Sequence, residues 1–214
     1  MITELRSLFL AGAEVVSHAL WHPEVAAKWD EPSVLAEQTV GSLAGHVARG
    51  GVWVVEDHLR GVLDPHVQVF DTAAGYFAHH AQTLVEADHE AIRARGQKVA
   101  ETGVAAVNNR ITQSLATLRT MLDTEPARLM PVAGGAMMVD DYLITRMVEQ
   151  TVHLDDLARS VDADPWPMPA QIEAQVLACG AEVGRLRWGG TEMVRAMFRH
   201  PSSRPENAPV LPVM

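Results

Sequence analysis

The sequence predicts an all-α fold: an up-down bundle of about four main helices followed by a C-terminal helical extension. Three observations predict it. Apolar residues recur at helical spacing through several long segments. Short stretches rich in proline, glycine and capping residues separate those segments. No strand-forming run of any length and no internal repeat breaks the pattern.

Each element has its own signal. Leu5, Leu8, Phe9, Ala13, Val16 and Leu20 form one stripe over residues 2–20. Trp21 to Gln38, with Pro23, Pro32 and two tryptophans, reads as a loop. Ser42 is the expected N-cap of a second helix reaching about Arg60, with His46, Gly50, Trp53 and Asp57 on one face. Gly50, one turn beyond His46, leaves room for a neighbouring helix or a ligand. Asp64-Pro65 ends that pattern, and Asp71 or Thr72 is the expected cap of a third helical stretch towards Arg95. Its histidines His79, His80 and His89 read as surface residues, since adjacent side chains on a helix point about 100° apart.

Gly96 and Gly103 punctuate the chain before a further amphipathic helix marked by Val104, Val107, Ile111, Leu115, Leu118 and Leu122. Pro126 to Asp141 reads as a connector with a turn at Gly134-Gly135 and short extended flanks. Asp140 or Asp141 is the expected cap of the helix that follows. Asp162 to Pro169 holds three prolines and reads as a linker. Residues 170–187 form a helix stopped by Gly189-Gly190, Thr191 starts a short final helix to Arg199, and an extended tail follows from Pro201. One domain results: residues 1–164 as the bundle, with 165–214 packed on it as the extension.

Composition narrows the functional classes. With 48% hydrophobic residues the chain can bury a full core. A formal net charge of −10 argues against a nucleic-acid partner, because counterion release needs a basic face. No run of 18 apolar residues occurs and no signal peptide is visible, so the expectation is a cytoplasmic protein with no membrane partner. Cys179 stands alone, which fits a reducing compartment, and Ile172, Val176 and Val183 around it make it a small core residue rather than a nucleophile.

The polar chemistry concentrates in Tyr142-Leu-Ile-Thr-Arg-Met-Val-Glu149-Gln-Thr-Val-His153-Leu-Asp-Asp156. Glu149 and His153 lie one turn apart on one helix face, and Tyr142, Thr145, Arg146 and Asp156 continue that polar stripe. A carboxylate and an imidazole so placed can share a divalent cation if another element brings a third ligand. His46 in Gly41-Ser-Leu-Ala-Gly-His46-Val-Ala-Arg49 is the candidate. Spacing alone does not decide the matter. Ten His and fifteen Glu would give about 0.7 Glu-x-x-x-His pairs by chance. Two occur, and the other, Glu14 to His18, has His22 a turn further on. Such a pair is more often a solvated contact worth a few tenths of a kcal/mol. Trp21-His22-Pro23 also looks like a helix end, which weakens the Glu14/His18/His22 set.

A resemblance adds to this reading. Thr39-Val-Gly-Ser-Leu-Ala-Gly-His46-Val-Ala-Arg49, together with Arg146-Met-Val-Glu149-Gln-Thr-Val-His153-Leu-Asp-Asp-Leu157 and the helical pattern between them, resembles the metal-binding domain of mycothiol-dependent maleylpyruvate isomerases and mycothiol S-transferases of the DinB-like superfamily. The resemblance covers roughly residues 1–160. It implies a zinc site on His46, Glu149 and His153, mycothiol as co-substrate, and no counterpart for Glu14/His18/His22. It also implies that the metal ligands converge to within about 3–4 Å. Arg49, Trp53 and Arg146 are the candidates for holding the thiol cofactor. The isomerases carry a further mixed α/β domain, whereas residues 165–214 read as helix plus tail, which favours a thiol transferase.

Two His and one Glu leave an open position on zinc, where an entering thiol would lose its proton. The expected function is therefore S-transfer from mycothiol to an electrophilic small molecule. Cis-trans isomerisation, metal-dependent hydrolysis and a non-catalytic metal-binding or regulatory bundle are the alternatives, and homodimerisation stays open.

Overall fold

Thr3 opens the first helix: its hydroxyl accepts the Arg6 N–H at 3.3 Å, and α1 runs Glu4–Leu20. The computed structural model describes residues 2–199, and these are mostly helical. The stretch expected to be a loop contains a short helix, α2 (Pro23–Ala27), started by proline at its first position. The second expected helix reaches Arg60 in three parts: α3 (Val40–Ala48), a π-helical segment (Arg49–Trp53) and α4 (Val54–Arg60). Its cap is Thr39 rather than Ser42. Thr39 is extended and accepts the Ser42 N–H at 3.1 Å, which places Ser42 inside the first turn and buried.

The third stretch divides in two, α5 (Ala73–Thr83) and α6 (Glu86–Ala100), with Thr72 capping α5 as expected. Leu84 and Val85 are extended between them, and the Val85 N–H donates to the Asp88 carboxylate. Gly96 is not punctuation: it lies inside α6, where α6 crosses α3. A Cβ on Gly45 would sit 2.6 Å from the Gly96 carbonyl oxygen, and one on Gly96 would sit 2.8 Å from that of Ser42. Two glycines thus set how closely these helices approach, and His46 lies at that crossing.

The remaining helices are α7 (Val104–Thr124), α8 (Val139–Ser160), α9 (Ala170–Trp188) and α10 (Gly190–Phe198). Helix α9 packs on α5 and α8, and α10 on α9; the tail expected from Pro201 lies outside the described residues. Helix α8 begins without a side-chain cap, because Met138 rather than an aspartate precedes it. Asp140 is used instead to accept from buried Arg6 at 2.7 Å, which ties α1 to α8.

Strand structure occurs as a three-stranded sheet: the short extended flanks expected around Gly134-Gly135 form a hairpin, and a third strand, at Val69–Phe70, was not expected. β2 (Leu129–Val132) and β3 (Gly135–Met138) form an antiparallel hairpin, and β1 (Val69–Phe70) pairs parallel to β3. Gly134, at φ +76°, makes the hairpin turn, and Gly135 has no Cβ to block the Gln68 carbonyl. Strands of two to four residues are too short to show a period of two.

Helix α1 packs on α7 and α8, and the π-segment packs on the same two helices. Phe9, Val16, Leu43, Ile111, Leu118, Leu143 and Met147 fill the centre, all fully buried. No helix among the described residues is long and apolar enough to cross a membrane.

The glycine crossing makes a stability prediction. Gly45→Ala gains about 1 kcal/mol of helix propensity but overpacks a backbone contact, which costs about 1–3 kcal/mol. Urea unfolding should show a lower midpoint at an unchanged m-value. A midpoint equal to or above the parent's would show that the contact is not tight.

Candidate metal centre

Helix α3 carries His46 and helix α8 carries Glu149 and His153. Glu149 Oε2 lies 3.3 Å from His46 Nε2 and 3.4 Å from His153 Nε2, and all three ligand atoms lie within 4.8 Å of one another. Ligands about 2.0–2.1 Å from a tetrahedral zinc ion would be separated by about 3.3–3.4 Å. Two of the three edges therefore match that geometry. The imidazole rings stand edge to face, 4.7 Å between centroids.

Helix packing brings these atoms together. Arg146 and Gln150, one turn apart on α8, donate to the carbonyls of Gly50 and Gly51 at 2.8 and 2.9 Å. Both acceptors belong to the π-segment, so its irregular backbone is laced to α8 on either side of Glu149. A Cβ on Gly51 would lie 3.2 Å from the Gln150 side chain. The register of α8 against α3 is fixed there, and Glu149 meets His46.

A second layer fixes the tautomer. His153 Nδ1 and Asp156 Oδ2 are 3.1 Å apart, so the Nδ1 proton is donated to Asp156 and Nε2 is left for the site. That Nε2 is fully buried, and its polar neighbour is Glu149 Oε2 at 3.4 Å, within ion-pair reach but too poorly aligned for a good hydrogen bond. A buried ring nitrogen turned towards a carboxylate and a second imidazole is what a three-residue cation site requires.

The charges agree with that arrangement. Burial lowers the pKa of His46 despite its contact with Glu149, so it is neutral at pH 7. Burial would raise that of Glu149, but the two histidines and the Arg146 charge outweigh it and hold the carboxyl well below the usual range. Burial also opposes charge on His153, yet Asp156 and Glu149 prevail and raise it to about 9. Without metal, a proton on His153 takes the cation's place.

The site opens into a cleft of about 510 Å³. His46, Arg146 and Glu149 line it, while His153 is buried behind. Arg49 also lines the cleft, so two of the three candidate cofactor residues face it. Trp53 does not. It lines a neighbouring groove with Arg49 and lies under the Arg110 guanidinium, because the π-segment winds fewer degrees per residue than an α-helix.

Sequence reading missed three side chains of the cleft. His80, expected at the surface, is half-buried there and donates its Nδ1–H to the Tyr76 carbonyl at 2.9 Å. His58 stacks on Tyr142, and burial next to Arg146 and Arg49 holds its pKa down to about 4. Arg95 reaches the same cleft from α6. No spacing pattern marks them, since each comes from a different helix.

The rival set does not assemble. Glu14 pairs with Arg119 at 2.6 Å, and His22 leaves α1 to accept the Glu24 N–H at the start of α2. Among the described residues, His46, Glu149 and His153 are the group placed to hold a metal ion. Comparison with protein-family models, curated proteins and solved structures finds no match to this chain.

A pH dependence follows from His153. Its metal-free pKa is raised to about 9, so below that value a metal must displace a proton. Calorimetric titration in buffers of different ionisation enthalpy should show about one proton released per ion near pH 7–8, and affinity rising up to about tenfold per pH unit until about pH 9. In the metal-free protein the sign is opposite: the ion pairs are intact near pH 6.5 and lost as pH rises through 9. Asp156→Asn should weaken metal binding about 10–100-fold. Uptake independent of pH between 7 and 9 would contradict the assignment of the proton to His153.

Proposed function

We propose that this chain is a zinc-dependent S-transferase that uses mycothiol as its thiol, with α1, the α3–α4 stretch, α7 and α8 as the four helices of a DinB-like up-down bundle. The observation that carries the reading is the convergence of His46, Glu149 and His153, whose ligand atoms lie within 4.8 Å of one another at the end of an open cleft.

His46, Glu149 and His153 would hold the ion. When bound, it supplies a Lewis-acidic centre that favours the deprotonated form of a thiol at neutral pH. The chain's own residues do the rest. Asp156 keeps the His153 proton on Nδ1. Arg146, stacked over Tyr142 with its guanidinium 4.7 Å from the ring centroid, keeps a fixed positive charge beside the carboxylate ligand. His58, neutral at pH 7, stands in the same cleft. The sulfur has to come from outside, because Cys179 is buried and its thiol is pushed up to about 11 by its surroundings. This favours a thiol co-substrate over a covalent protein nucleophile.

The test uses tag-free protein, mycothiol and a reporter electrophile such as a haloalkyl fluorophore. Consumption of both reactants should fall to background with chelator and return with zinc. Glu149→Gln, which keeps the residue's size, should lower metal affinity and transfer at least about tenfold. His153→Ala should be worse. If both variants lose metal yet keep full transfer, the ion is structural and the reading fails; chelator-sensitive ester hydrolysis without thiol would point to a hydrolase instead.

A further inference from the structure

The chain carries ten more acidic than basic residues, yet three arginines that line the metal-side cleft lack a carboxylate partner. Many other arginines are paired, as in Arg6–Asp140, Arg60–Glu56 and Arg119–Glu14. Among the described residues, Arg49, Arg95 and Arg146 have no carboxylate within ion-pair distance. Arg146 is only 8% exposed, and its two hydrogen bonds, to the Gly50 carbonyl and the Thr145 hydroxyl, use Nη1 and Nε. Its Nη2 makes no hydrogen bond to another described residue, and the residue lines the cleft. Glu149 and the Tyr142 ring stabilise its charge from one side, and the remaining Nη2 is a donor open to an anion in the cleft.

Arg49 and Arg95 lie further out. Both line the metal-side cleft and also the adjoining groove of about 530 Å³, so they flank the passage between the two. Neither guanidinium makes a hydrogen bond to another described residue. Both line the same two cavities, so their charges repel; burial, and then the Arg49 charge, lower the pKa of Arg95 against the opposing pull of Asp88. Lys98 continues the positive charge along the groove, whose lining contains no carboxylate; Arg110, also in the lining, is paired with Glu56 at 3.2 Å. Asp88 alone among the lining carboxylates stands near Arg95, and it is engaged by the Val85 N–H.

We propose that Arg49 and Arg95 form a clamp for a compact dianion, so that the cleft takes a small molecule bearing a phosphate-ester group. Two mutually repelling guanidinium forks are neutralised by one doubly charged group, and each fork matches two phosphate oxygens. A monocarboxylate would leave one of the charges uncompensated. Arg146, deeper in the cleft, continues the cationic path towards Glu149 and His46. This goes beyond the metal reading and stands on the arginines alone.

Inorganic phosphate is the probe, titrated by calorimetry at pH 8 and constant ionic strength into metal-free and zinc-loaded protein. Saturable binding is expected in both, with acetate at least about tenfold weaker. Arg49→Ala and Arg95→Ala should each weaken phosphate binding at least about tenfold, with Arg119→Ala equal to the parent. Because the two charges repel, neither substitution should lower the thermal midpoint of the ligand-free protein, and phosphate should raise the parent's midpoint but not the variants'. Arg95→Lys should fall between parent and alanine. Metal content and thiol transfer, measured separately, keep failure of the clamp distinct from failure of the metal reading. The proposal is overturned if acetate matches phosphate, if succinate binds more tightly, if binding disappears with the metal, or if the variants bind like the parent.

Discussion

Glu149 is the constraint on which the site depends. Its carboxylate is held between two imidazoles from different helices, in a position where an isolated negative charge would be expensive. It stays ionised because His46, His153 and Arg146 surround it. Asp156 adds a second negative charge behind His153 and so fixes which nitrogen faces inward. Removing any one of these groups would leave the others buried with unsatisfied charge. The cluster is therefore a unit whose members depend on one another, and a divalent cation is the simplest partner that satisfies them together.

The backbone around this cluster is shaped to deliver it. Gly45 and Gly96 let α6 cross α3 at backbone contact distance beside His46. The π-segment then departs from regular α geometry, and its Gly50 and Gly51 carbonyls take hydrogen bonds from Arg146 and Gln150. π-segments inside α-helices are frequent at functional sites because they re-aim side chains without ending the helix. Here the change separates Trp53 from the face of His46 and turns it to the neighbouring groove. Helix packing, cofactor-sized space and ligand geometry all depend on one short irregularity.

Much of this was legible in the sequence. The stripe from Tyr142 to Asp156 showed both the core side and the polar side of α8, because helical periodicity records which face is buried. Glu149 and His153 could be paired on spacing, since their contact is local. The choice of His46 could not rest on spacing, because its approach to Glu149 spans 103 residues and depends on the Gly45–Gly96 crossing. His58, His80 and Arg95 were silent for the same reason. The cap at Thr39 was misplaced to Ser42, where polar residues compete for one boundary, and the break at Leu84 was not expected, because no proline or glycine marks it. Three short strands carried no periodic signal at all.

The most direct measurement of the central claim is the metal content of protein purified without a histidine tag, by elemental analysis. The account predicts one divalent ion per chain, zinc foremost, in the parent protein. His46→Ala should lose that ion while remaining folded by circular dichroism, because His46 is a ligand on an otherwise intact helix. A parent protein that stays metal-free after incubation with excess zinc, or a His46→Ala variant that keeps a full equivalent, would contradict it.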